Sequence, residues 1–187
     1  MQGHVAYPQL ANNPIRLALP VISTLLGESW DKGSEFFPPT SFEIVDISSN
    51  SDAINVIPGE LKIIFNLRYN PGWNYERIKL YIHNLLDKEA LNYELTWRES
   101  GEPYYTKQGH LTDVVKRVIF NFCGREPILS TDGGTSDGRF IASMGCQVIE
   151  LGSLNTTIHK INESIPISDT PELTDIYLKI IKHLFVV

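Results

Sequence analysis

The sequence predicts an α/β (α+β) protein made of two parts, on two observations. Residues 1–104 follow the order strand, helix, strand, strand, helix, strand, and from residue 105 helical patterns alternate with short apolar runs. The first order is typical of a ferredoxin-like βαββαβ domain, in which two helices cover one face of a four-stranded antiparallel sheet. The second part, residues 105–187, indicates a piece of a parallel α/β domain.

The first predicted strand covers residues 3–7 and is followed by a helix. Asn13 can cap this helix with its side chain, and Pro14 suits the first turn, where a missing N–H is harmless. Pro20 removes one backbone hydrogen bond inside the helix, so we expect a kink there. Apolar residues recur at helical spacing along its inner face, at Ile15, Leu19, Ile22 and Leu26.

The rest of the first part is predicted as two strands, a helix and a closing strand, at residues 41–48, 61–69, 75–86 and 92–98. The second of these strands has the cleanest alternation in the chain. Its period of two puts Lys62, Asn66 and Arg68 on the face opposite its apolar residues.

The second part is predicted as three helices and two short strands. The first helix ends at Gly124, the second is capped by Ser136 and stopped by Gly145, and the third opens at Thr170. So few elements leave a sheet edge and a helix face open, and we expect this part to need the rest of a sheet. The middle helix and the two strands are predicted at residues 137–144, 128–130 and 147–151.

Composition excludes several classes of partner. The net charge of -6 and the pI near 5.3 argue against nucleic acid and anionic membranes, both of which need a basic face. The two cysteines, Cys123 and Cys146, lack the spacing of a zinc finger or a disulfide framework, which favours a reducing, cytoplasmic location. A small molecule or another protein remains as the expected partner.

Two polar motifs in the last third carry most of the chemistry. Residues 130–140 are STDGGTSDGRF, where a glycine turn before a helix predicts an anion site built from backbone N–H groups. Residues 151–163 are LGSLNTTIHKINE and present His159 in a polar loop. Neutral imidazole is a common zinc ligand, although a lone loop histidine is more often solvated. No cluster of carboxylates and imidazoles occurs upstream, so the motifs predict an incomplete active site.

Four motifs occur in order along the chain: GHVAYP, NVIPGELKIIFNLRY, TDGGTSDGRF and TIHKINE. Together they resemble the succinyl-diaminopimelate desuccinylase family, within the zinc-dependent aminoacylase and carboxypeptidase superfamily. The resemblance implies that residues 1–104 form a dimerisation or lid domain. Residues 105–187 would then be the C-terminal portion of a zinc-peptidase-like catalytic domain. A chain without the N-terminal catalytic segment is expected to be inactive alone.

The resemblance implies hydrolysis of a small molecule, N-succinyl-LL-2,6-diaminopimelate, to succinate and LL-2,6-diaminopimelate, within lysine and diaminopimelate biosynthesis. The implied cofactor is a pair of Zn²⁺ ions, with Co²⁺ as an alternative at one site, and His159 is the implied ligand. The family's other metal ligands and its general base match no motif here. His4 would reach the active site of the other subunit of a homodimer, formed through residues 1–104, and stabilise the oxyanion there.

Seven further residues are implied substrate contacts: Arg68, Asn55, Gly134, Thr135, Ser136, Arg139 and Asn155. The guanidinium of Arg68 offers a bidentate fork to a substrate carboxylate, although it could also simply decorate the exposed sheet face. Residues 133–136 could be no more than a turn and a helix cap, and His4 could be a strand-edge residue tucked under Tyr7.

Two other functions stay open at this point. The chain could belong to a related zinc amidohydrolase, such as an acetylornithine deacetylase or a peptidase, or it could act as a non-catalytic dimerisation module. The remaining histidines, His83, His110 and His183, are expected to be solvated surface residues.

Overall fold

The computed structural model describes residues 1–185, which divide into two compact units. The first unit is Met1–Pro103, and the second begins at Tyr104. Both units combine helices with extended segments, so the predicted mixed α/β class is confirmed. No helix within residues 1–185 has the length and apolar character needed to span a bilayer.

The first unit contains two helices and four strands. Strands β1 and β3 are only two residues long, and a single 3-10 turn, Pro8–Leu10, separates β1 from the first helix. The elements in chain order are β1 (Gly3–His4), α1 (Pro14–Gly27), β2 (Ser41–Ser49), β3 (Val56–Ile57), β4 (Leu61–Arg68) and α2 (Tyr75–Lys88).

The predicted four-stranded sheet is wrong for the described residues. Strand β1 pairs with β3 and β2 pairs with β4, both antiparallel, so there are two separate two-stranded ladders. The predicted closing strand at residues 92–98 joins neither ladder. It keeps the alternation of a strand, and Leu95 and Trp97 pack against the core. Alternation reports which side chains face the core, but it does not determine a backbone partner.

The helices of the first unit begin at the predicted residues, Pro14 and Tyr75. The Asn13 side chain accepts a hydrogen bond from the backbone N–H of Ile15 at 3.0 Å, and Asn74 caps α2 in the same way. Helix α1 continues through Pro20, whose carbonyl accepts the hydroxyl of Thr24 at 3.0 Å. The kink expected at Pro20 stays a prediction.

One hydrophobic cluster joins both helices to the β2–β4 ladder. Trp30 is its centre, because its ring lies 6.1 Å from Phe42, 5.4 Å from Trp73 and 5.2 Å from Tyr81. Edge-on and offset ring pairs of this kind add to the free energy of burying the rings. The buried members of the cluster are Val21, Leu25, Trp30, Phe42, Ile78 and Ile82.

A polar network centred on Asp31 ties the loop before β2 to the chain after β4. The Asp31 carboxylate accepts hydrogen bonds from the backbone N–H of Gly33 at 2.6 Å and of Thr40 at 3.3 Å. The side-chain amide of Asn70 donates to the same carboxylate at 2.7 Å. Thr40 and Asn70 are each only 6% exposed, so these bonds satisfy groups that water does not reach.

The second unit is built on two helices, α3 (His110–Cys123) and α5 (Asp169–Phe185), with a short helix α4 (Gly138–Ala142) between them. Helix α3 ends at Gly124, which adopts a positive φ of 71° as the sequence predicts. The buried core consists of Val114, Val115, Val118 and Ile180.

The two strands predicted in this unit are wrong, since residues 128–130 and 147–151 join no ladder within the described chain. Residues 147–150 instead run antiparallel to residues 104–107 through side-chain hydrogen bonds. The Thr106 hydroxyl donates to the Val148 carbonyl at 2.6 Å and accepts from the Val148 N–H at 3.1 Å. The Thr106 side chain therefore satisfies both backbone groups of Val148, which a neighbouring strand would satisfy in a sheet. Helix α4 is also shorter than the predicted span of residues 137–144.

The expected exposure of the three remaining histidines holds for His110 and His183 but not for His83. His83 is half-buried on α2, and its Nδ1 lies 2.8 Å from the hydroxyl of Tyr93. That hydroxyl also donates to Asp87 at 2.8 Å. The network holds the segment after α2 against the helix, which gives His83 a structural role that its spacing in the sequence does not reveal.

Replacing Asp31 by Asn is expected to destabilise the first unit by about 1–3 kcal/mol, because an amide cannot accept from all the donors around this position. Burial favours the neutral carboxyl, but hydrogen bonds from Thr40, Gly33 and Asn70 outweigh it and hold the pKa of Asp31 below its usual range. A lowered folded-state pKa stabilises the fold above the usual value of 3.8, and this stabilisation is lost as pH falls through the folded-state pKa.

Urea unfolding at several pH values measures this effect. The difference between the native chain and Asp31→Asn should be full at pH 6 and should shrink below about pH 4. Asp52→Asn, at an exposed loop position, is the matched control and should change little. Equal losses in the two variants would contradict the role given to Asp31.

Candidate functional site

His4 ends β1 with its ring exposed and one nitrogen already occupied. Its Nδ1 accepts a hydrogen bond from the backbone N–H of Ala6 at 3.1 Å, and the ring of Tyr7 lies 5.9 Å away. Because Nδ1 is the acceptor, the proton of the neutral ring is assigned to Nε2, which is left as a hydrogen-bond donor. The geometry suits a hydrogen-bond donor to an oxyanion.

Asn55 lies beside His4. The Asn55 carbonyl accepts from the backbone N–H of Val5 at 3.1 Å, and the next residue, Val56, pairs with His4 in the β1–β3 ladder. Two predicted site residues that are 51 positions apart in the sequence are thus brought together by a ladder of two residue pairs.

Arg68 ends β4 on the exposed face of the other ladder, opposite Ser41. Its guanidinium makes no ion pair or hydrogen bond within the described part of the chain. Two residues further on, Asn70 enters the buried Asp31 network. The position of the Arg68 backbone is therefore well determined while its side chain is available to a ligand.

The glycine turn at residues 133–136 is exposed, and Gly133 adopts a φ of 93° that other residues rarely take. The backbone N–H and the hydroxyl of Ser136 both donate to Glu150 Oε1, at 3.2 and 2.9 Å. The Ser136 hydroxyl also accepts from the Gly138 N–H at 3.0 Å. The expectation of free N–H groups is therefore wrong for Ser136 and Gly138, while Gly134 and Thr135 are exposed members of the turn.

Arg139 follows the turn on α4 and is half-buried. Its guanidinium lies over the ring of Phe140, 4.7 Å from the centroid. Its Nε is buried and has no hydrogen-bond partner among the described residues. A buried donor without a partner is uncommon and costs free energy, because the group loses its hydrogen bonds to water without gaining others.

His159 lies at the tip of a loop that is closed by its own hydrogen bonds. The Thr157 hydroxyl donates to the Ser164 carbonyl at 2.8 Å and accepts from the Ser164 N–H at 3.1 Å. The backbone N–H of His159 donates to the Glu163 carboxylate at 3.2 Å. The Asn155 carbonyl accepts from the backbone N–H of Ile158 at 3.1 Å. The imidazole of His159 is exposed, and its backbone is left-handed, with φ at 59°.

Residues 1–185 do not fit a complete metal site. No group of three or more His, Cys, Asp or Glu side chains converges within this range, so His159 is a single imidazole donor without companions. Catalytic zinc usually has three protein ligands, and one donor does not hold the ion in place.

The sequence did not reveal that Glu150 and Tyr104 belong to this part of the structure. The hydroxyl of Tyr104 donates to Glu150 Oε1 at 2.7 Å, beside the two donors from Ser136. A single carboxylate within the apolar run VIEL was the available signal, since an acid in such a run usually needs partners.

A family model described as the peptidase dimerisation domain matches residues 1–94. The chain is 50% identical over 177 residues to the succinyl-diaminopimelate desuccinylase of Nitrosospira multiformis, which covers 95% of this chain and 47% of that protein. It is 48% identical over 186 residues to the enzyme of the same name from Xanthomonas euvesicatoria, covering 100% of this chain and 50% of that protein. The chain thus spans about half the length of the curated relatives it matches, and the resemblance seen in its motifs is confirmed.

Solved structures with little sequence identity share the fold. An M20 family metallo-carboxypeptidase from Sulfolobus solfataricus matches with a TM-score of 0.80 at 14% identity, over 100% of this chain and 56% of that one. A tripeptidase from Staphylococcus aureus matches with a TM-score of 0.69 at 23% identity, over 97% of this chain and 48% of that one. At these identities the likeness concerns architecture alone.

Replacing Thr157 by Val should open the loop that carries His159, because the Thr157 hydroxyl makes both of the bonds to Ser164. Loss of a net stabilisation of about 1 kcal/mol predicts roughly fivefold faster exchange of the Ser164 amide hydrogen. Thr156→Val is the matched control, because it makes the same substitution at the exposed neighbouring position. Equal exchange rates in the two variants would show that the hydroxyl of Thr157 does not close the loop.

Proposed function

The chain belongs to the family of the peptidase dimerisation domain, and from this premise we propose that the protein hydrolyses the amide of N-succinyl-LL-2,6-diaminopimelate, releasing succinate and LL-2,6-diaminopimelate. The observation that carries the proposal is the identity of 50% with a named desuccinylase along 95% of the chain. The identity extends through both units, so it includes the dimerisation region and the two polar motifs.

The first unit supplies two kinds of group in this proposal. Arg68 binds a carboxylate of the substrate, since its guanidinium is exposed and unpaired within the described residues and lies on a well-anchored strand end. His4 donates a hydrogen bond from Nε2 to the oxyanion that develops at the scissile amide in the active site of the other subunit, and Asn55 lies beside it as a second polar contact.

The second unit supplies the remaining contacts. Gly134 and Thr135 meet the substrate through the exposed turn, and Asn155 contributes from the loop that also carries His159. Arg139 supplies its unpartnered donor to the same ligand. Ser136 is assigned to holding the turn and not to contacting the substrate, because its hydroxyl and its N–H both donate to Glu150.

Zinc is the metal that the family resemblance implies, and His159 is the proposed donor in this chain. The described residues provide no cluster of metal ligands. The remaining zinc ligands are therefore proposed to lie in a segment equivalent to the part of the relatives that this chain does not match. Co²⁺ at one of the two positions remains an alternative. On this proposal, the 187-residue chain alone does not hydrolyse the substrate.

A cytoplasmic homodimer is the proposed working form. The match of residues 1–94 to a dimerisation domain supports pairing through the first unit. Cys123 and Cys146 are both free and exposed, which favours a reducing compartment.

The test is a chimera in which this chain replaces the matching segment of the Nitrosospira multiformis desuccinylase. The chimera should hydrolyse N-succinyl-LL-2,6-diaminopimelate faster than the N-acetyl analogue at equal concentration. A preference for the acetyl substrate, with the chimera folded and dimeric, would assign the chain to a different amidohydrolase.

Arg68→Ala in the chimera is expected to raise KM by about 10- to 100-fold, because a charged hydrogen-bonding partner of the substrate is lost. Lys62→Ala is the matched control, since Lys62 lies on the same face of β4 at its other end. The proposal for Arg68 fails if steady-state kinetics give the two variants the same KM.

His159→Ala in the chimera should lower both the metal retained after gel filtration and the rate of hydrolysis, because one ligand of the ion is removed. His110→Ala, an exposed histidine at the start of α3, is the control. Metal content measured by plasma mass spectrometry should fall in the first variant alone. Full metal content in both variants would remove His159 from the ligand set.

A further inference from the structure

Three donors converge on one carboxylate oxygen in the second unit. The Tyr104 hydroxyl, the Ser136 hydroxyl and the Ser136 N–H reach Glu150 Oε1 at 2.7, 2.9 and 3.2 Å. Charge-assisted hydrogen bonds of this kind are about twice as strong as neutral ones. These residues are 46 and 14 positions from Glu150 in the sequence, so the carboxylate joins segments that local structure does not connect.

Glu150 is itself held in place from the other side. The Gln147 side chain donates to the Lys107 carbonyl at 2.9 Å and accepts from the Leu111 N–H at 3.2 Å, at the start of α3. The Thr106 hydroxyl bridges both backbone groups of Val148. The segment that ends in Glu150 is therefore anchored to the packed part of the unit, and the carboxylate projects from it towards the glycine turn.

The turn has little else to define its position. A Cβ added at Gly133 or at Gly134 would meet nothing within 4 Å, so no side-chain packing surrounds them. At Gly138, by contrast, a Cβ would lie 3.0 Å from the Tyr104 hydroxyl and 3.1 Å from Glu150 Oε1. Glycine at this position permits the close approach of α4 to the carboxylate.

We propose that Glu150 is a positioning residue for the turn that binds the substrate, holding Gly134 and Thr135 in place through Ser136. The inference rests on the proposed function, since it assigns a substrate contact to this turn. Glu150 does not touch the substrate. It fixes the entry to α4 and with it the direction of the Gly133–Gly134 backbone.

The bonding also makes the positioning sensitive to charge. Burial pushes the pKa of Glu150 up, but the hydrogen bonds from Tyr104 and Ser136 outweigh this and lower the pKa below its usual value of 4.5. The carboxylate is therefore ionised at neutral pH and holds the turn there. Its hold should weaken only as pH falls below that range, through the lowered folded-state pKa.

The experiment compares Glu150→Ala, Glu150→Gln and the control Glu126→Ala. Glu126 is an exposed acid paired with Lys116 at 3.8 Å and lies outside the proposed site. Amide exchange of Ser136 and Gly138 is measured in this chain, and kcat and KM are measured in the chimera. Glu150→Ala should exchange about 10-fold faster at Ser136 and raise KM about 10-fold with little change in kcat. Glu150→Gln keeps an acceptor oxygen and should recover part of both effects.

The outcomes separate the two proposals. Unchanged exchange of Ser136 and Gly138 in Glu150→Ala would overturn the positioning role. Faster exchange with an unchanged KM would overturn the placement of substrate at this turn, and with it the inference drawn from that placement. Amide exchange of α3 and α5 also reports whether Glu150→Ala keeps the folded core of the second unit. If that core is lost, the test uses Glu150→Gln and Ser136→Ala instead. Equal KM values for these two variants and the native chimera would then overturn the inference.

Discussion

Each unit relies on one side-chain carboxylate that accepts several hydrogen bonds from distant parts of the chain. Asp31 joins the loop before β2 to the residues after β4, and Glu150 joins residues 104 and 136 across the second unit. An ionised carboxylate offers about four acceptor sites, so it can satisfy donors that no regular element provides for. The hydrogen bonds lower the pKa of both groups despite partial burial, which means that the charged form is the one built into the fold.

This reliance follows from how little apolar packing is available near the loops. Among the described residues, the hydrophobic core of the second unit has four buried members, while Ile128, Ile161 and Ile167 are each more than 90% exposed. A fully buried aliphatic side chain contributes about 1.5–3 kcal/mol, and a hydrogen bond to a charged group contributes a similar amount. With few such side chains buried, a carboxylate that accepts three hydrogen bonds becomes a major determinant of loop position. Removing it would leave the donors of Tyr104 and Ser136 to water and would break the link between these two segments.

The helices could be predicted from the sequence because their signals are local. Asn13 and Gly124 mark ends that the structure reproduces within a residue, and α2 begins at Tyr75 as predicted. In residues 92–98 the strand pattern predicted which side chains face the core but not the pairing, because the partner of a strand lies elsewhere in the chain. The two polar motifs located the exposed turn and the His159 loop. What they could not reveal is that Glu150 already accepts from the N–H and the hydroxyl of Ser136, since that contact depends on the tertiary fold.

The loop around His159 shows how the proposed site is kept in one conformation. Outside glycine, positive φ values occur in the described chain at Ala90, His159 and Asn162, so two of the three lie in this one loop. Such conformations cost free energy and persist only where surrounding contacts determine them. Here the contacts are the bonds from Thr157 to Ser164 and from His159 to Glu163, all made by polar groups rather than by packing. The bonds from Thr157 and from the backbone N–H of His159 thus hold the backbone at His159 in its left-handed conformation. The imidazole itself is exposed, so its direction is set by this backbone and by no side-chain contact among the described residues.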